Sequence, residues 1–183
     1  MADVITLEGN YYILATSSIA DETTRVLKYG NSFAIFDKHG DMRPLGFENH
    51  GLYHDGTRYL SRWVLRLNDK TPTLLSSRVE GDNAFLSVDL ANPDFKNDQG
   101  LWTPPDLLHV GRSIFLWKES HFERVKLENY SQRAITFTIT VQYEADFVDI
   151  FEVRGLRREQ RGEQLEPEFE DESINLRYRG LDG

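Results

Sequence analysis

Apolar and polar residues alternate along much of the chain with the two-residue repeat of a pleated strand. Ile135, Phe137, Ile139 and Val141 interleave with Thr136, Thr138, Thr140 and Gln142, and β-branched residues on both sides favour extended backbone. Phe33 and Ile35 alternate with Ser32 and Ala34, while Trp63, Leu65 and Leu67 form an apolar face against Arg62, Val64 and Arg66. Strand-like runs also cover residues 11–16, 25–29, 74–79, 85–90, 114–117, 121–127, 147–153 and 174–178. Turn residues part these runs at short intervals: Tyr29-Gly30-Asn31-Ser32, Asp37-Lys38-His39-Gly40-Asp41, Asn68-Asp69-Lys70, Glu80-Gly81-Asp82-Asn83, Lys118-Glu119-Ser120 and Asn129-Tyr130-Ser131. The Gly and Asn among them accept positive φ and suit hairpins.

Many short strands without an amphipathic helix predict an all-β fold, an antiparallel β-sandwich with little or no helix. Residues 92–106 break the pattern with Pro93, Pro104 and Pro105 and read as a long loop crossing between sheets or covering a face. Residues 154–172 carry Arg157, Arg158 and Arg161 ahead of Glu163, Glu166, Glu168, Glu170, Asp171 and Glu172, which predicts a solvated, mobile connection. The length of 183 residues suits one domain spanning 1–183 with a single core. The last strand leads into Leu181-Asp182-Gly183, a turn that would ordinarily launch another strand, so the chain is expected to be part of a longer protein.

Charge and composition narrow the partners. With 21 Lys and Arg against 30 Asp and Glu, the net charge of −9 disfavours nucleic acid and anionic membranes, which call for clustered cations. Hydrophobic residues at 39% and aromatics at 12% mark a chain that folds. The absence of cysteine excludes disulfides, cysteine-ligated zinc, iron–sulfur clusters and a thiol nucleophile. No apolar run reaches the roughly 18 residues of a membrane helix, and Met1-Ala2-Asp3-Val4 does not open a signal peptide, so a cytoplasmic location is expected.

No glycine-rich phosphate loop is present, the five histidines form no HxH or HExxH pattern, and no serine sits in a GxSxG elbow. No cofactor, metal site or catalytic residue is therefore assigned. Asp146, Asp149 and Glu152 have the residue type of glycoside hydrolysis, which sets two carboxylates across a sugar. On a strand Asp146 and Glu152 would share one face and Asp149 the other, and the plainer reading is of solvent-facing acids or partners of Arg154. The densest polar and aromatic segment is Gly51-Leu52-Tyr53-His54-Asp55-Gly56-Thr57-Arg58-Tyr59-Leu60-Ser61. Its first reading is a turn locked by a bidentate Arg58–Asp55 pair; its second is a surface of His54, Asp55 and Arg58 where a sugar or a neighbouring domain docks. Trp63 and Trp117 fit strand patterns and read as core, whereas Trp102, in the proline-rich loop, is the tryptophan expected to be exposed for stacking.

Several strings, taken in order, are more specific than any one. Arg25-Val26-Leu27-Lys28-Tyr29-Gly30-Asn31-Ser32-Phe33-Ala34-Ile35-Phe36-Asp37, His39-Gly40-Asp41, the 51–61 segment, Val88-Asp89-Leu90-Ala91-Asn92-Pro93-Asp94 and Ala145-Asp146-Phe147-Val148-Asp149-Ile150-Phe151-Glu152-Val153-Arg154-Gly155 together cover most of the chain. The set resembles the N-terminal domain of bacterial glycogen debranching enzymes of the amylo-α-1,6-glucosidase type. That resemblance implies a supersandwich-like β-domain preceding a catalytic (α/α)6 barrel, which carries the hydrolytic carboxylates and is absent here. It implies as partners the C-terminal catalytic domain of the same polypeptide and an α-glucan. His54, Asp55, Arg58, Trp102, Asp146, Asp149 and Glu152 are the candidate substrate or domain-interface residues. A docking face left uncovered also leads to an expectation of self-association.

Overall fold

The computed structural model describes residues 24–44, 49–97 and 100–181, and the backbone alone at 4–7 and 10–13. The first hairpin pairs β1 (Val4–Leu7) with β2 (Asn10–Ile13); residues 14–16 of the expected first strand lie outside the described residues. One sheet runs β3 (Arg25–Tyr29), β4 (Ser32–Phe36), β5 (Gly51–His54) and β6 (Thr57–Leu60), and ends on a two-residue strand labelled below. Next come β7 (Arg62–Leu67), β8 (Thr73–Glu80) and β9 (Phe85–Ala91), then the small hairpin of β10 (Phe95–Lys96) and β11 (Trp102–Thr103). The long strands β12 (Leu108–Trp117) and β13 (Ser120–Asn129) follow, with β14 (Ile139–Glu144), β15 (Val148–Asp149) and the single helical turn α1 (Ile150–Val153). Four short strands close the described chain: β16 (Glu163–Gln164), β17 (Glu168–Phe169), β18 (Ile174–Asn175) and β19 (Tyr178–Arg179).

The strands assemble antiparallel, as the period-two pattern requires. The order β13-β12-β9-β8 makes one sheet, β15-β6-β5-β4-β3 the other, and β14-β7 a pair beside it. Leu86, Val88 and Leu90 of β9 and Val110, Ile114 and Leu116 of β12 meet Leu27, Ala34 and Phe36 of the second sheet and Leu65 and Leu67 of β7 in one core. A buried aliphatic side chain of this kind contributes about 1.5–3 kcal/mol, and the ladders leave each one a fixed place.

A charged cluster sits inside this core. Arg112, 1% exposed, donates from Nη1 to Asp41 (2.6 Å) and the His39 carbonyl (2.7 Å), and from Nε to Glu123 (2.6 Å). Asp41 also holds Arg43 and Arg66, and the Trp63 indole N–H donates to Glu123 at 2.6 Å. Burial works against the Arg112 cation, but the hydrogen bonds and charge of Glu123 and Asp41 outweigh it and hold its pKa above the usual guanidinium value.

One sheet stops at β13, and across the core from it the separate β14–β7 pair stops at β14. β13 and β14 have no strand on their outer edges among the described residues. Trp63 of β7 reaches Glu123 of β13, and the β7–β14 register places Val141 and Ile139 on the Trp63 face. Val125, Leu127, Ile139 and Val141 therefore point towards the interior, yet each is 37–43% exposed.

Several elements differ from the pattern. β4 buries Ser32, Ala34 and Phe36, because Ala34 and Phe36 face the core, while Phe33 and Ile35 lie half-buried on the other face, where Phe33 stacks on Tyr53 at 4.6 Å. The strand expected from 135 starts at Ile139, since its partner β7 ends at Leu67 and Asn68 takes up the chain before it, with Asn68 Oδ1 accepting from Thr138 N. Residues 92–106 contain the β10–β11 hairpin, and 154–172 contain β16 and β17, so neither is wholly irregular. The last strand is split into β18 and β19, and Asp182 and Gly183 of the closing turn lie outside the described residues. Trp63 is partly buried against the core as expected, but Trp117 is 50% exposed: it shares the outward parity of Phe115, while Ile114 and Leu116 point in.

Candidate functional site

The β5–β6 hairpin turns through Asp55 (φ 46°) and Gly56 (φ 81°), the paired positive φ values of a tight hairpin turn. Arg58 leaves the turn on β6 and lies over Gly51, where a Cβ would meet the Arg58 side chain at 2.5 Å and the Leu60 carbonyl at 2.7 Å. Glycine at 51 is thus required both by its φ of +148° and by the arginine packed on it.

Arg58 does not pair with Asp55. Its Nη2 donates to Asp146 at 2.5 Å and its Nε at 3.2 Å to each oxygen of the same carboxylate, while Nη1 donates to the His50 carbonyl at 3.2 Å. The physical reason is direction: Asp55 sits in the turn, whereas Arg58 points from β6 towards the strand that follows Asp146, with Val148 its register partner. Burial opposes the Arg58 charge, but the hydrogen bonds and charge of Asp146 outweigh it and raise its pKa. Burial likewise raises the pKa of Tyr53 beneath this pair, whose hydroxyl donates to the Asn49 carbonyl.

Asp55 is held instead by Asn31 Nδ2 (2.9 Å) and by His54 Nε2 (3.1 Å). The other ring nitrogen of His54 meets Ser32 Oγ at 2.9 Å. Ser32, His54 and Asp55 thus line up as hydroxyl, imidazole and carboxylate, the sequence of groups in an acyl-transfer triad. Ser32 is 2% exposed, so no substrate carbonyl reaches it, and the row acts as a lock on the hairpin.

After Phe147 (φ 51°) the chain forms only two strand residues and then α1. Asp149 caps the helical turn, accepting from Phe151 N at 2.8 Å, and Gly155 (φ 99°) follows the end of α1. The expected strand over 147–153 is therefore corrected to a helical turn, and Asp149 is not opposed to Glu152. Three residues apart across α1, both are reached by Arg158: Nη2 to Asp149 at 3.0 Å and Nε to Glu152 at 3.8 Å. Arg161 binds Glu152 at 2.9 Å. The partners of the three acids are Arg58, Arg158 and Arg161; the expected partner Arg154 makes none of these pairs.

The result is a cleft of about 600 Å³ that gathers Asp146, Asp149 and Glu152 with Tyr59, Phe147 and Tyr178. Phe147 stacks on Tyr178 at 5.4 Å and takes the edge of Tyr59 at 5.8 Å, so the cleft has an aromatic wall facing an arginine-paired acidic one. His54 touches its rim through Tyr59, with ring centroids 6.4 Å apart. Trp102 is 52% exposed, as expected, but stands apart on β11, its carbonyl accepting from Arg133. The sequence did not single out Tyr59, Phe147, Tyr178, Arg158 or Arg161 as members of a shared site, and only their contacts bring them together. Among the described residues no three His, Asp or Glu side chains gather as metal ligands, and no helix is long and apolar enough to cross a membrane.

Residues 27–183 match the family described as the N-terminal domain of some glycogen debranching enzymes. The chain belongs to that family. No curated protein and no solved structure matches it. As a debranching-enzyme N-terminal domain, the chain carries the family match across both sheets, the cleft and the β12–β13 hairpin.

Proposed function

We propose that the chain is a non-catalytic domain of a cytoplasmic amylo-α-1,6-glucosidase in carbohydrate metabolism. It packs on the catalytic barrel of the same polypeptide and forms one wall of the groove for a branched α-glucan. The supporting observation is the state of the cleft carboxylates. A glycosidase acid needs a proton to give and free space beside the glycosidic oxygen, but Asp146, Asp149 and Glu152 are each taken by a guanidinium. What the cleft offers a sugar is Tyr59, Phe147 and Tyr178 for stacking and the paired charges for hydroxyl contacts.

An independent glucan-binding module is the second reading, favoured by the exposure of Trp102. Both readings are tested by titrating the purified chain with a branched glucan while glucose release is assayed. The first expects perturbed amides at Tyr59 and Phe147 and no glucose; the second expects binding that Trp102→Ala abolishes. Glucose release by the chain alone would overturn the non-catalytic assignment.

A further inference from the structure

The outer face of the β13-β12-β9-β8 sheet carries chemistry that the cleft does not use. The ladder places Phe85, Phe115 and Phe122 directly beside one another on β9, β12 and β13. Phe115 and Phe122 stack with centroids 5.0 Å apart and planes 11° apart, and Trp117, two residues further on the same face, packs on Tyr29 at 5.1 Å. Tyr29, Phe115, Trp117 and Phe122 are all exposed.

The neighbouring rows are polar. Two residues along each strand lie Arg78, Ser87, Ser113 and Arg124, and beyond them Ser76, Asp89, Gly111 and Lys126. Apart from Leu75, the exposed extra residue of the β8 bulge beside Ser76, no Leu, Ile, Val or Met stands in these rows; the aliphatic residues of β9 and the first part of β12 point inward, into the core. A face meant to dock another protein surface is expected to mix aliphatic with aromatic side chains at its centre. This one offers flat rings beside hydroxyl and guanidinium groups, which fits a ligand with apolar C–H faces and hydroxyl edges. An uncharged ligand suits it best, since Arg78, Arg124 and Lys126 share the face with Glu80, Asp89 and Glu128 and present no single sign. Continuous pairing from β9 through β12 to β13 fixes the spacing of the rings before any ligand arrives, so little ordering is needed on binding.

We propose that this sheet face binds a neutral polysaccharide of hexose units, whose ring faces stack on Trp117 and the phenylalanine row while its hydroxyls bond to Ser87, Ser113 and Arg124. The proposal rests on the reading of the domain as one that meets glucan, and gives it a second contact that shares no lining residue with the cleft.

The three tryptophans make the test specific, because Trp63 reports the interior, Trp102 the β10–β11 hairpin and Trp117 this face. In two-dimensional NMR of the whole chain titrated with maltoheptaose, the Trp117 indole and the amides of Ser113, Phe122 and Arg124 shift and saturate. Trp117→Ala and Phe122→Ala each weaken binding up to about tenfold, Trp117→Phe retains most of it, and the unchanged spectrum elsewhere shows that each variant is folded. Shifts confined to Tyr59, Phe147 and Tyr178 would overturn this site and leave the cleft reading standing. Shifts on the sheet face alone would do the reverse. Shifts at neither would overturn both, and concentration-dependent shifts on this face without sugar would assign it to a second copy of the chain instead.

Discussion

Arg112 shows how far one side chain can depart from what its residue type suggests. Its place between Val110 and Ile114 on the inward side of β12 leaves it no water, and Asp41 and Glu123 must neutralise it. Removing one member of such a buried set leaves an uncompensated charge, at a cost of about 3–5 kcal/mol. His121 lies beside this set, its ring 5.6 Å from Trp63 and 5.9 Å from Phe36, with Glu123 and Arg112 facing it. Burial holds its pKa below 6.5, and burial does the same to His39. The unfolded chain therefore takes up protons below pH 6.5 that the folded chain refuses, and stability falls as pH drops through that region. Glu128, kept low by its hydrogen bond from Lys126, titrates below 4.5 and does not share the window. Thermal melting from about pH 7.5 to about 5.5 is expected to show a declining Tm and a shallower decline in His121→Gln. A flat profile, or a slope unchanged in the variant, would contradict it.

The hairpin turns repeat one backbone solution with unequal residues. Asp55-Gly56, Asn68-Asp69 and Asp82-Asn83 all hold positive φ with residue types that tolerate it, but Lys118 (φ 45°) and Glu119 (φ 63°) adopt the same geometry at the β12–β13 turn without that tolerance. Glu119→Gly is expected to stabilise the chain by about 0.5–1 kcal/mol, read as a higher urea midpoint. A lower midpoint would mean that the Glu119 contact with His54, at 4.0 Å, outweighs the backbone strain. The turns and most of the strands were legible in the sequence because both are local: alternation and Gly, Asn or Asp carry them. The helical turn α1 was not, since four residues are too few to show a 3.6-residue period and its signal was the single cap Asp149. Nor was the partner of Arg58, because Asp146 lies 88 positions away and nearby Asp55 offered the same chemistry. Asp146, Asp149 and Glu152 are legible as a group, but a strand pattern carried through 147–153 sets Asp149 opposite Glu152, whereas the helical turn α1 puts both within reach of Arg158. Arg112 lies ahead of the apolar run that marks a strand from Ile114, although a cation in register with Leu108, Val110, Ile114 and Leu116 is itself a sign of a buried pair.

Across the molecule, stability is spread unevenly between the middle of the sandwich and its open side. β9 and β12 each lie between two strands and bury a row of aliphatic residues, whereas β14, among the described residues, pairs only with β7 and leaves Ile139 and Val141 partly uncovered beside Val125 and Leu127. Amides that open only with the whole fold exchange slowest, and those freed by a partial opening exchange sooner. Hydrogen exchange is therefore expected to label Val141 and Tyr143 well before Val88 and Val110, and equal rates would contradict an uneven fold. Seen as a path in time, the side where β13 and β14 stop behaves like the loose end of a zip: unfolding starts there and runs inward, and any strand laid along β13 or β14 would slow the loss of the fold without touching its centre.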